Sequence, residues 1–333
     1  MNNSKISCLV VIIFLSLSIN SSEFSVMSLN VDNLFDTIDD PGKDDKAYLP
    51  IEAKQSDKHK RSCNNIRVKS WKNECLYLDW DEDTKNSKLT NLVNSIISYN
   101  QSGPDVLALQ EVENINILNQ LFKLLEPYGY KEVQLLEGND YRGIDTALVS
   151  KFKSLDAKLH YITFTGEFEN KDTRPILDIT LEAYGKKIKI YNVHFPSGFH
   201  DVSMRLDSLN VLQELLKGHN YPSIALGDFN VNTTEDSKLS IYESQENVWS
   251  VAHINGCDEC KGSYYYNYLK QWEFLDSIFL SKDRGISYVV DSINIHSTSD
   301  NAYADTGKPK NFNPSTKNGV SDHLPVVAKI KIN

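Results

Sequence analysis

The chain has 333 residues, of which 40% are hydrophobic and 24% charged, the balance of a soluble globular protein that can bury a sizeable core. Its formal net charge of −10 argues against the strongly basic footprint of a tight nucleic-acid binder, but not against transient cleavage of nucleic acid. A bound cation can still attract a phosphate, because the cation reverses the sign of the field around it.

Residues 1–22 differ in character from the rest of the chain. They carry one charge, at Lys5, followed by an apolar run from Ile6 to Ile19 and a polar end. The run is short for a membrane span, and the order of regions predicts a secretory signal peptide, with an uncleaved anchor as the alternative. Cys8 lies at the start of the run, where a lipid-attachment cysteine is not expected. We therefore expect a secreted or periplasmic protein, with one domain over residues 23–333.

Four cysteines remain after the signal segment, and they fall into two pairs that are close in sequence: Cys63 with Cys75, and Cys257 with Cys260. Because an exported protein meets an oxidising compartment, the simplest interpretation is two local disulfides. The alternative is a zinc site. It would need a second Cys-x-x-Cys or a pair of histidines at ligand spacing, which Cys63 and Cys75 do not provide.

The first half of the mature chain alternates strand and helix patterns. A strand from Phe24 to Leu29 ends at Asn30, and the charged residues 32–86 that follow predict an irregular insertion. Helical spacing runs from Leu89 to Ile97. After the break at Gly103-Pro104, a short apolar strand over residues 105–109 leads into Gln110-Glu111.

The second half is richer in strands, with helices between them. Helical spacing recurs over residues 117–125 and 206–216, and Gly185-Lys186 reads as a hairpin turn. Strand patterns cover residues 131–136, 146–150, 176–183, 187–193, 223–226, 274–280, 286–290 and 326–332. Strands that outnumber helices, with helices placed between them, predict two packed layers of β-structure with helices outside.

Polar side chains capable of chemistry stand at the ends of several of these strands. A carboxylate at a strand end, such as Glu111, is the kind of oxygen ligand that Mg²⁺ takes together with water and a substrate phosphate. Histidines at two further strand ends, each with acids available, indicate general acid–base catalysis. Each residue alone is more simply explained as structural or solvated. The set comprises Asn30, Glu111, His194, Asp228, Asn230 and His323.

Taken together and in order, these segments resemble the endonuclease/exonuclease/phosphatase superfamily, which includes the DNase I-like nucleases. The resemblance covers about residues 24 to 332. It rests on the strand-end Asn30 and on the motifs LQEV, NVHFPSG, GDFN, LDSIFLS and SDHLPV. It implies a four-layer α/β/β/α sandwich of two mostly antiparallel sheets, with the active site at one rim. It also implies Mg²⁺-dependent hydrolysis of a phosphoester by an in-line water, with Mn²⁺ or Ca²⁺ as alternative ions.

The resemblance also implies a role for each matching residue. Glu111 corresponds to the principal metal ligand, and Asn30 and Asp322 complete the metal shell directly or through water. Asp228 corresponds to the group that orients or deprotonates the attacking water, and Asn230 to a donor for a phosphate oxygen.

The resemblance assigns the two histidines to acid–base catalysis and phosphate stabilisation. Asp145 corresponds to the acid that orients His194, and Asp276 to the acid that orients His323. Arg174 stands where relatives place a phosphate-binding arginine.

Two departures leave the substrate open. Glu113-Asn114 stand where DNase I-like nucleases often carry a DNA-contacting arginine, and the insertion over about 32–86 lies outside the common core. The sequence predicts a monomeric nuclease acting on extracellular DNA or RNA, without stable membrane association. A phospholipid-directed enzyme of sphingomyelinase type is an alternative, although the sequence shows no convincing apolar hairpin for membrane contact. A non-catalytic binding module is a second alternative, which the complete catalytic set argues against.

Overall fold

The structure is a computed structural model that describes residues 22–333. All but the last residue of the predicted signal peptide, and Cys8 with it, lie outside the described residues. Within 22–333, no helix is both long and apolar enough to cross a membrane.

Most of the predicted strands and helices are present, with boundaries that differ by a few residues. The described residues form the strands β1 Ser22–Leu34, β2 Val106–Val112, β3 Glu132–Leu135, β4 Asp145–Ser150, β5 Lys153–His160, β6 Ile176–Ala183, β7 Lys186–His194, β8 Ser223–Asp228, β9 Trp249–Val251, β10 Tyr264–Tyr266, β11 Gln271–Glu273, β12 Asp276–Ser281, β13 Ile286–Tyr288, β14 Asn294–Ile295 and β15 Val326–Ile332. The helices are α1 Asp57–Asn64, α2 Lys69–Tyr77, α3 Glu82–Ile97, α4 Ile115–Leu125, α5 Val202–Lys217, α6 Thr233–Leu239, α7 Ile241–Gln245 and α8 Ala252–Gly256.

The strands form two large sheets and one small hairpin. The first sheet has the order β13-β15-β1-β2-β4-β3, with β14 also paired to β15, and the second has the order β5-β6-β7-β8-β12-β9. Within each sheet one central pair is parallel, β1 with β2 and β7 with β8, and every other pairing is antiparallel. Strands β10 and β11 form a separate two-stranded sheet.

The inner faces of the two sheets pack against each other. Val26 and Ala108 from the first sheet share one buried cluster with Ile190, Leu226 and Ile278 from the second. These side chains alternate along their strands with others that point outward, as the two-residue period of a strand requires. Burying apolar area on this scale is the main favourable contribution to folding.

Helices cover the outer face of each sheet. Helices α3 and α4 pack on the first sheet, and α5 and α7 pack on the second. The three long helices begin after Asp81, Asn114 and Asp201, whose side chains accept hydrogen bonds from first-turn backbone N–H groups. The predicted four-layer α/β/β/α sandwich is therefore confirmed.

The prediction of an irregular insertion over 32–86 was wrong in part. Strand β1 continues to Leu34, and the insertion contains helices α1 and α2, joined by the Cys63–Cys75 disulfide. The sequence pattern did not predict α1 and α2, because both helices are short and charged and have little apolar periodicity. The buried Lys54 holds the segment together through hydrogen bonds from Nζ to the carbonyl oxygens of Ala47 and Leu78, at 2.7 and 2.6 Å.

The insertion is packed onto the core rather than projecting from it. The Phe35 and Tyr48 rings stack with centroids 4.1 Å apart, and Trp80 packs edge-on against Tyr48. Glu113, which stands where a DNA-contacting arginine was expected, instead accepts a hydrogen bond from the Asp36 backbone N–H at 2.6 Å. This position therefore anchors the beginning of the insertion.

Candidate active site

The strand topology brings the predicted polar residues to one rim of the sandwich. The parallel strands β7 and β8 end side by side, with His194 opposite Asp228 in register. Strand β12 runs antiparallel to β8 and begins there, with Asp276 opposite Asp228. A hydrogen bond of 3.1 Å from Asn30 Nδ2 to Asp228 Oδ2 connects the rims of the two sheets.

Asp276 and His323 form a buried pair at this rim. The distance from His323 Nδ1 to Asp276 Oδ2 is 2.6 Å, so the contact predicted between them is present. Ser263 Oγ accepts a hydrogen bond from the Asp276 backbone N–H, and Ser321 Oγ accepts one from the His323 backbone N–H. Burial lowers the pKa of His323, but the charges of Asp276 and Asp322 outweigh it and hold that pKa well above its ordinary value. The arrangement favours an imidazolium, whose Nε2 lies 3.8 Å from Asp322 Oδ1.

Asp228 lies at the centre of the cluster. Its Oδ1 accepts a hydrogen bond of 2.8 Å from the Asn230 backbone N–H, and one of its carboxylate oxygens lies within 4.8 Å of ligand atoms of both Asp276 and His323. Burial, followed by the charge of Asp276, raises the pKa of Asp228 to about 7. Asn230 has a positive φ of 53° and donates from Nδ2 to the carbonyl oxygen of Phe195.

His194 faces the carboxylates from the end of β7. Its Nε2 lies 3.6 Å from Asp228 Oδ2 and 3.7 Å from Glu111 Oε1. Burial, followed by the charge of Arg174, lowers the pKa of His194 well below its ordinary value. The two histidines are thus shifted in opposite directions, which is how an active site separates neutral from cationic partners.

The predicted hydrogen bond from Asp145 to His194 is absent. Asp145 Oδ1 instead accepts from the Gly138 backbone N–H at 2.9 Å, and neither Asp145 Oδ2 nor His194 Nδ1 has a hydrogen-bond partner within the described chain. Asp145 begins β4, on the other sheet from His194, so its neighbours come from the loop that precedes it. Burial, followed by the charge of Glu137, raises the pKa of Asp145 to about 7.

The raised pKa of Asp145 makes a testable contribution to stability. In the folded protein the carboxyl of Asp145 has a pKa of about 7, whereas its ordinary pKa is 3.8. Protonation of Asp145 therefore stabilises the folded state in full below pH 3.8, and this stabilisation is lost as the pH rises towards 7. Because of Asp145, the free energy of unfolding of the wild type should fall by about 1 kcal/mol per pH unit between pH 4.5 and 6.5. We expect Asp145→Asn to lose this dependence on pH. Urea denaturation at several pH values measures this slope. Asp156→Asn, on the exposed strand β5, is the control, and equal slopes in wild type and Asp145→Asn would refute the assignment.

Glu111 sits on a β-bulge that aims its side chain out of the sheet. Its φ is 65°, and the register of β2 shifts at this point against both β1 and β4. A positive φ at a non-glycine residue is strained and is typical of functional positions. Glu111 Oε2 accepts a hydrogen bond from the Asn33 backbone N–H at 3.1 Å, and its Oε1 is directed towards His194.

The donor set around Glu111 fits a hard divalent cation. Burial raises the pKa of Asp322; the charge of His323 partly offsets this rise, and the negative charge of Glu111 adds to it. Burial, followed by the charge of Asp322, raises the pKa of Asp32 to about 6. Carboxylates that destabilise one another's charge in this way are stabilised by a cation that accepts oxygen ligands, such as Mg²⁺ or Mn²⁺. Asn30 Oδ1 accepts from the Asp32 backbone N–H at 3.0 Å and keeps a second lone pair.

The sequence motifs did not identify Lys88 as part of the site. Its buried Nζ donates to the carbonyl oxygens of Asp32 and Val320, at 2.9 and 3.1 Å, and so joins the loop after β1 to the segment before Asp322. Lys88 lies on the buried side of α3 beside Leu92. A charge on the apolar stripe of a helix is the sequence signal that could have identified it.

Most of the donors of the Arg174 guanidinium form hydrogen bonds within the protein. Nε and Nη2 donate to the carbonyl oxygens of His194 and Phe195, at 3.2 and 3.1 Å, and Nη1 pairs with Asp140 at 2.9 Å. Arg174 therefore holds the end of β7 in place. Its predicted contact with a substrate phosphate stays a prediction.

The motif glycine Gly227 is required by a close approach of two strands. It has a φ of 143°, and a Cβ at this position would overlap the backbone carbonyl oxygen of Val193. We expect Gly227→Ala to lower the free energy of unfolding by about 3 kcal/mol. Gly185→Ala is a matched control, because Gly185 has a φ of 74° with no atom near the added methyl group. Chemical denaturation should show a cost of about 1 kcal/mol for the control, and equal losses in the two variants would contradict the overlap.

Residues 76–332 match the model of the Endonuclease/Exonuclease/phosphatase family. No curated protein sequence gives a significant match.

Several solved structures share the fold. An endonuclease/exonuclease/phosphatase family protein from Bacteroides thetaiotaomicron is 16% identical with a TM-score of 0.57, covering 94% of this chain and 99% of its own. A humanized TDP2 from D. rerio is 16% identical with a TM-score of 0.58, covering 92% and 98%. D. rerio TDP2 in complex with a single-strand DNA product is 15% identical with a TM-score of 0.57, covering 93% and 99%. At these identities the likeness concerns the fold.

Proposed function

Because the chain belongs to the Endonuclease/Exonuclease/phosphatase family, we propose that it is an exported, Mg²⁺-dependent nuclease that hydrolyses phosphodiester bonds of DNA or RNA. The observation that carries the proposal is the meeting of carboxylates, amides and two histidines at one rim of the sandwich. The D. rerio TDP2 structure with a single-strand DNA product supports nucleic acid as the substrate class.

In this proposal Glu111, Asp322 and Asn30 hold the cation. When bound, the cation supplies Lewis-acid polarisation of a phosphate oxygen and neutralises developing charge. The chemistry of the donor set supports this assignment, because the negative charges of Glu111 and Asp322 repel each other and a cation bound between them would relieve that repulsion.

The remaining residues act on the water and the phosphate. Asp228 accepts a proton from the attacking water, and Asn30 Nδ2 fixes its carboxylate with a hydrogen bond of 3.1 Å. His323 presents Nε2 to the phosphate, and Asp276 holds the ring through Nδ1. His194 is oriented with its Nε2 towards the same space. Donors preorganised around a developing negative charge supply most of the rate enhancement in such reactions.

Two features support export of the protein: the N-terminal segment and the cysteines. Residues 1–22 have the composition of a signal peptide, and both cysteine pairs are disulfide-bonded, as expected in an oxidising compartment. We therefore propose a periplasmic or secreted monomer that acts on extracellular nucleic acid.

One observation favours phospholipid as a second candidate substrate. The hairpin of β10 and β11 has an exposed tip, where Tyr268 is 85% and Leu269 50% exposed. The sequence had given no convincing apolar hairpin, because polar residues on either side interrupt the aromatic ones. An exposed aromatic tip beside the rim is a feature that membrane-binding enzymes use.

Plasmid cleavage tests the proposal directly. We expect the mature protein to cleave supercoiled plasmid or a single-stranded oligonucleotide in the presence of Mg²⁺. EDTA should stop the cleavage, and Asp228→Asn, which keeps the shape of the side chain, should abolish it. Phosphocholine release from sphingomyelin vesicles is measured in parallel. Nucleic acid left intact together with rapid lipid turnover would replace the nuclease with the phospholipid candidate, and inactivity in both assays would refute both.

A further inference from the structure

A small cavity opens beside Asp322 at the catalytic rim. Its volume is about 220 Å³. This is less than the roughly 300–1,000 Å³ of pockets that enclose drug-sized ligands, so we expect it to hold one ring system. Besides Pro309 and Asp322, the residues that line it are Tyr264, Tyr265, Tyr303, Asn267, Asn311 and Lys308.

The cavity is continuous with the reaction centre. Tyr264 forms an isolated backbone bridge with His323, and its ring centroid lies 5.0 Å from the imidazole. Asp322, assigned above to the cation, contributes to the wall. A group bound in the cavity therefore lies beside the phosphate proposed to meet His323.

The outer wall of the cavity is held in place by hydrogen bonds. The Tyr303 backbone N–H donates to the carbonyl oxygen of Lys308 at 2.9 Å, and that of Lys310 donates to the carbonyl oxygen of Asn301 at 2.8 Å. Asn301 is buried and donates from Nδ2 to Ser95 Oγ on α3 at 3.0 Å. A preformed wall binds a ligand without the entropic cost of ordering a loop.

The chemistry of the walls matches a nucleobase. Tyrosine rings offer flat faces for stacking, and the amides of Asn267 and Asn311 both donate and accept hydrogen bonds, as base edges do. An aromatic cage can also take a quaternary ammonium group. Here Lys308 Nζ already occupies the cation position, 3.7 Å from the Tyr265 ring centroid, and would repel such a group.

We propose that this cavity accepts one unstacked nucleobase next to the scissile phosphate, so that the enzyme cleaves single-stranded nucleic acid in preference to duplex. The inference rests on the proposed nuclease function. Bases of a duplex are paired and stacked, and one must be extruded at a cost before it can enter such a cavity. Tyr266, on the same face of β10 as Tyr264, lies with its ring centroid 6.2 Å from that of Tyr268, and so extends the aromatic surface away from the cavity.

Variants of Tyr303 test the stacking contact, because this residue is half exposed and its loss leaves the core intact. We expect Tyr303→Ala to lower kcat/KM on a single-stranded oligonucleotide about tenfold, mainly through KM, and to leave the duplex of the same sequence nearly unaffected. Tyr303→Phe keeps the ring and should keep the rate. Tyr184→Ala is the control, since Tyr184 is an equally exposed tyrosine at the β6–β7 turn, the end of β7 opposite to His194.

An abasic substitution shows whether the ring contacts a base. Removing the base beside the cleaved bond should slow the wild type by about the same tenfold factor and should not slow Tyr303→Ala further. Equal wild-type rates on single strand and duplex, or equal losses by Tyr303→Ala on both, would overturn the proposal while leaving the nuclease in place. Phosphocholine release from sphingomyelin vesicles that depends on Tyr303 would assign the cavity to a lipid headgroup. No cleavage of any nucleic acid by the wild type would refute the nuclease itself, and the base subsite with it.

Discussion

Glu111→Gln is expected to lower the Mg²⁺-dependent rate of phosphodiester hydrolysis by at least about 10³-fold. The substitution keeps the shape of the side chain and leaves an oxygen to accept the Asn33 backbone N–H, but it removes the charge proposed to bind the cation. Its structural cost is small for the same reason. Steady-state kinetics at saturating Mg²⁺ measures the loss.

Thermal unfolding with and without Mg²⁺ separates a binding defect from a folding defect. A cation that binds the folded wild type raises its transition temperature by mass action, and Glu111→Gln should lose most of that increase. Without Mg²⁺ the variant should be at least as stable as the wild type, because the charge of Glu111 opposes that of Asp322. A variant that keeps both the Mg²⁺-induced shift and the wild-type rate would remove Glu111 from the site.

Local pattern was sufficient to predict the framework of this molecule. The apolar runs that end at Asn30 and Glu111, and those that lead to His194 and Asp228, form the two parallel pairs at the centres of the sheets. The two strands of a parallel pair end at the same rim, so the side chains at their ends lie close together. The contact between Asp276 and His323 followed from the motifs that contain them, and it is present.

Features of the site that depend on long-range packing could not be predicted from the sequence. The hydrogen bond expected between Asp145 and His194 is absent, and the Gly138 backbone N–H that instead donates to Asp145 comes from a loop whose packing no local pattern predicts. Arg174 has the residue type of a phosphate ligand, but its pairing with Asp140 depends on the packing of a loop that carries no recognisable motif. The cavity wall around Tyr303 comes from an irregular loop before β15, which has no periodic pattern of apolar residues.

The pair of Asp276 and His323 is expected to act as one unit. His323→Gln should lower kcat about 10³-fold, because an amide cannot donate a proton or carry charge to the phosphate. Asp276→Asn should lower kcat by at least about 10²-fold, because an amide opposite Nδ1 no longer favours the tautomer with the proton at that atom. The double variant should be little worse than the more damaging single variant, since residues that function together lose activity non-additively.

A second aspartate–histidine pair in the same protein provides the control that distinguishes catalysis from a structural effect. His160 Nε2 lies 2.9 Å from Asp178 Oδ2 in the outer strands β5 and β6, outside the catalytic cluster. His160→Gln should leave kcat unchanged, because His160 lies outside the catalytic cluster and a glutamine amide can still donate to Asp178 from near the position of Nε2. Kinetics and thermal unfolding of the four variants give the comparison. Loss of activity in His160→Gln, or additive losses in the double variant, would show that the measured effects reflect general destabilisation, because only a pair that meets the phosphate should couple in kcat.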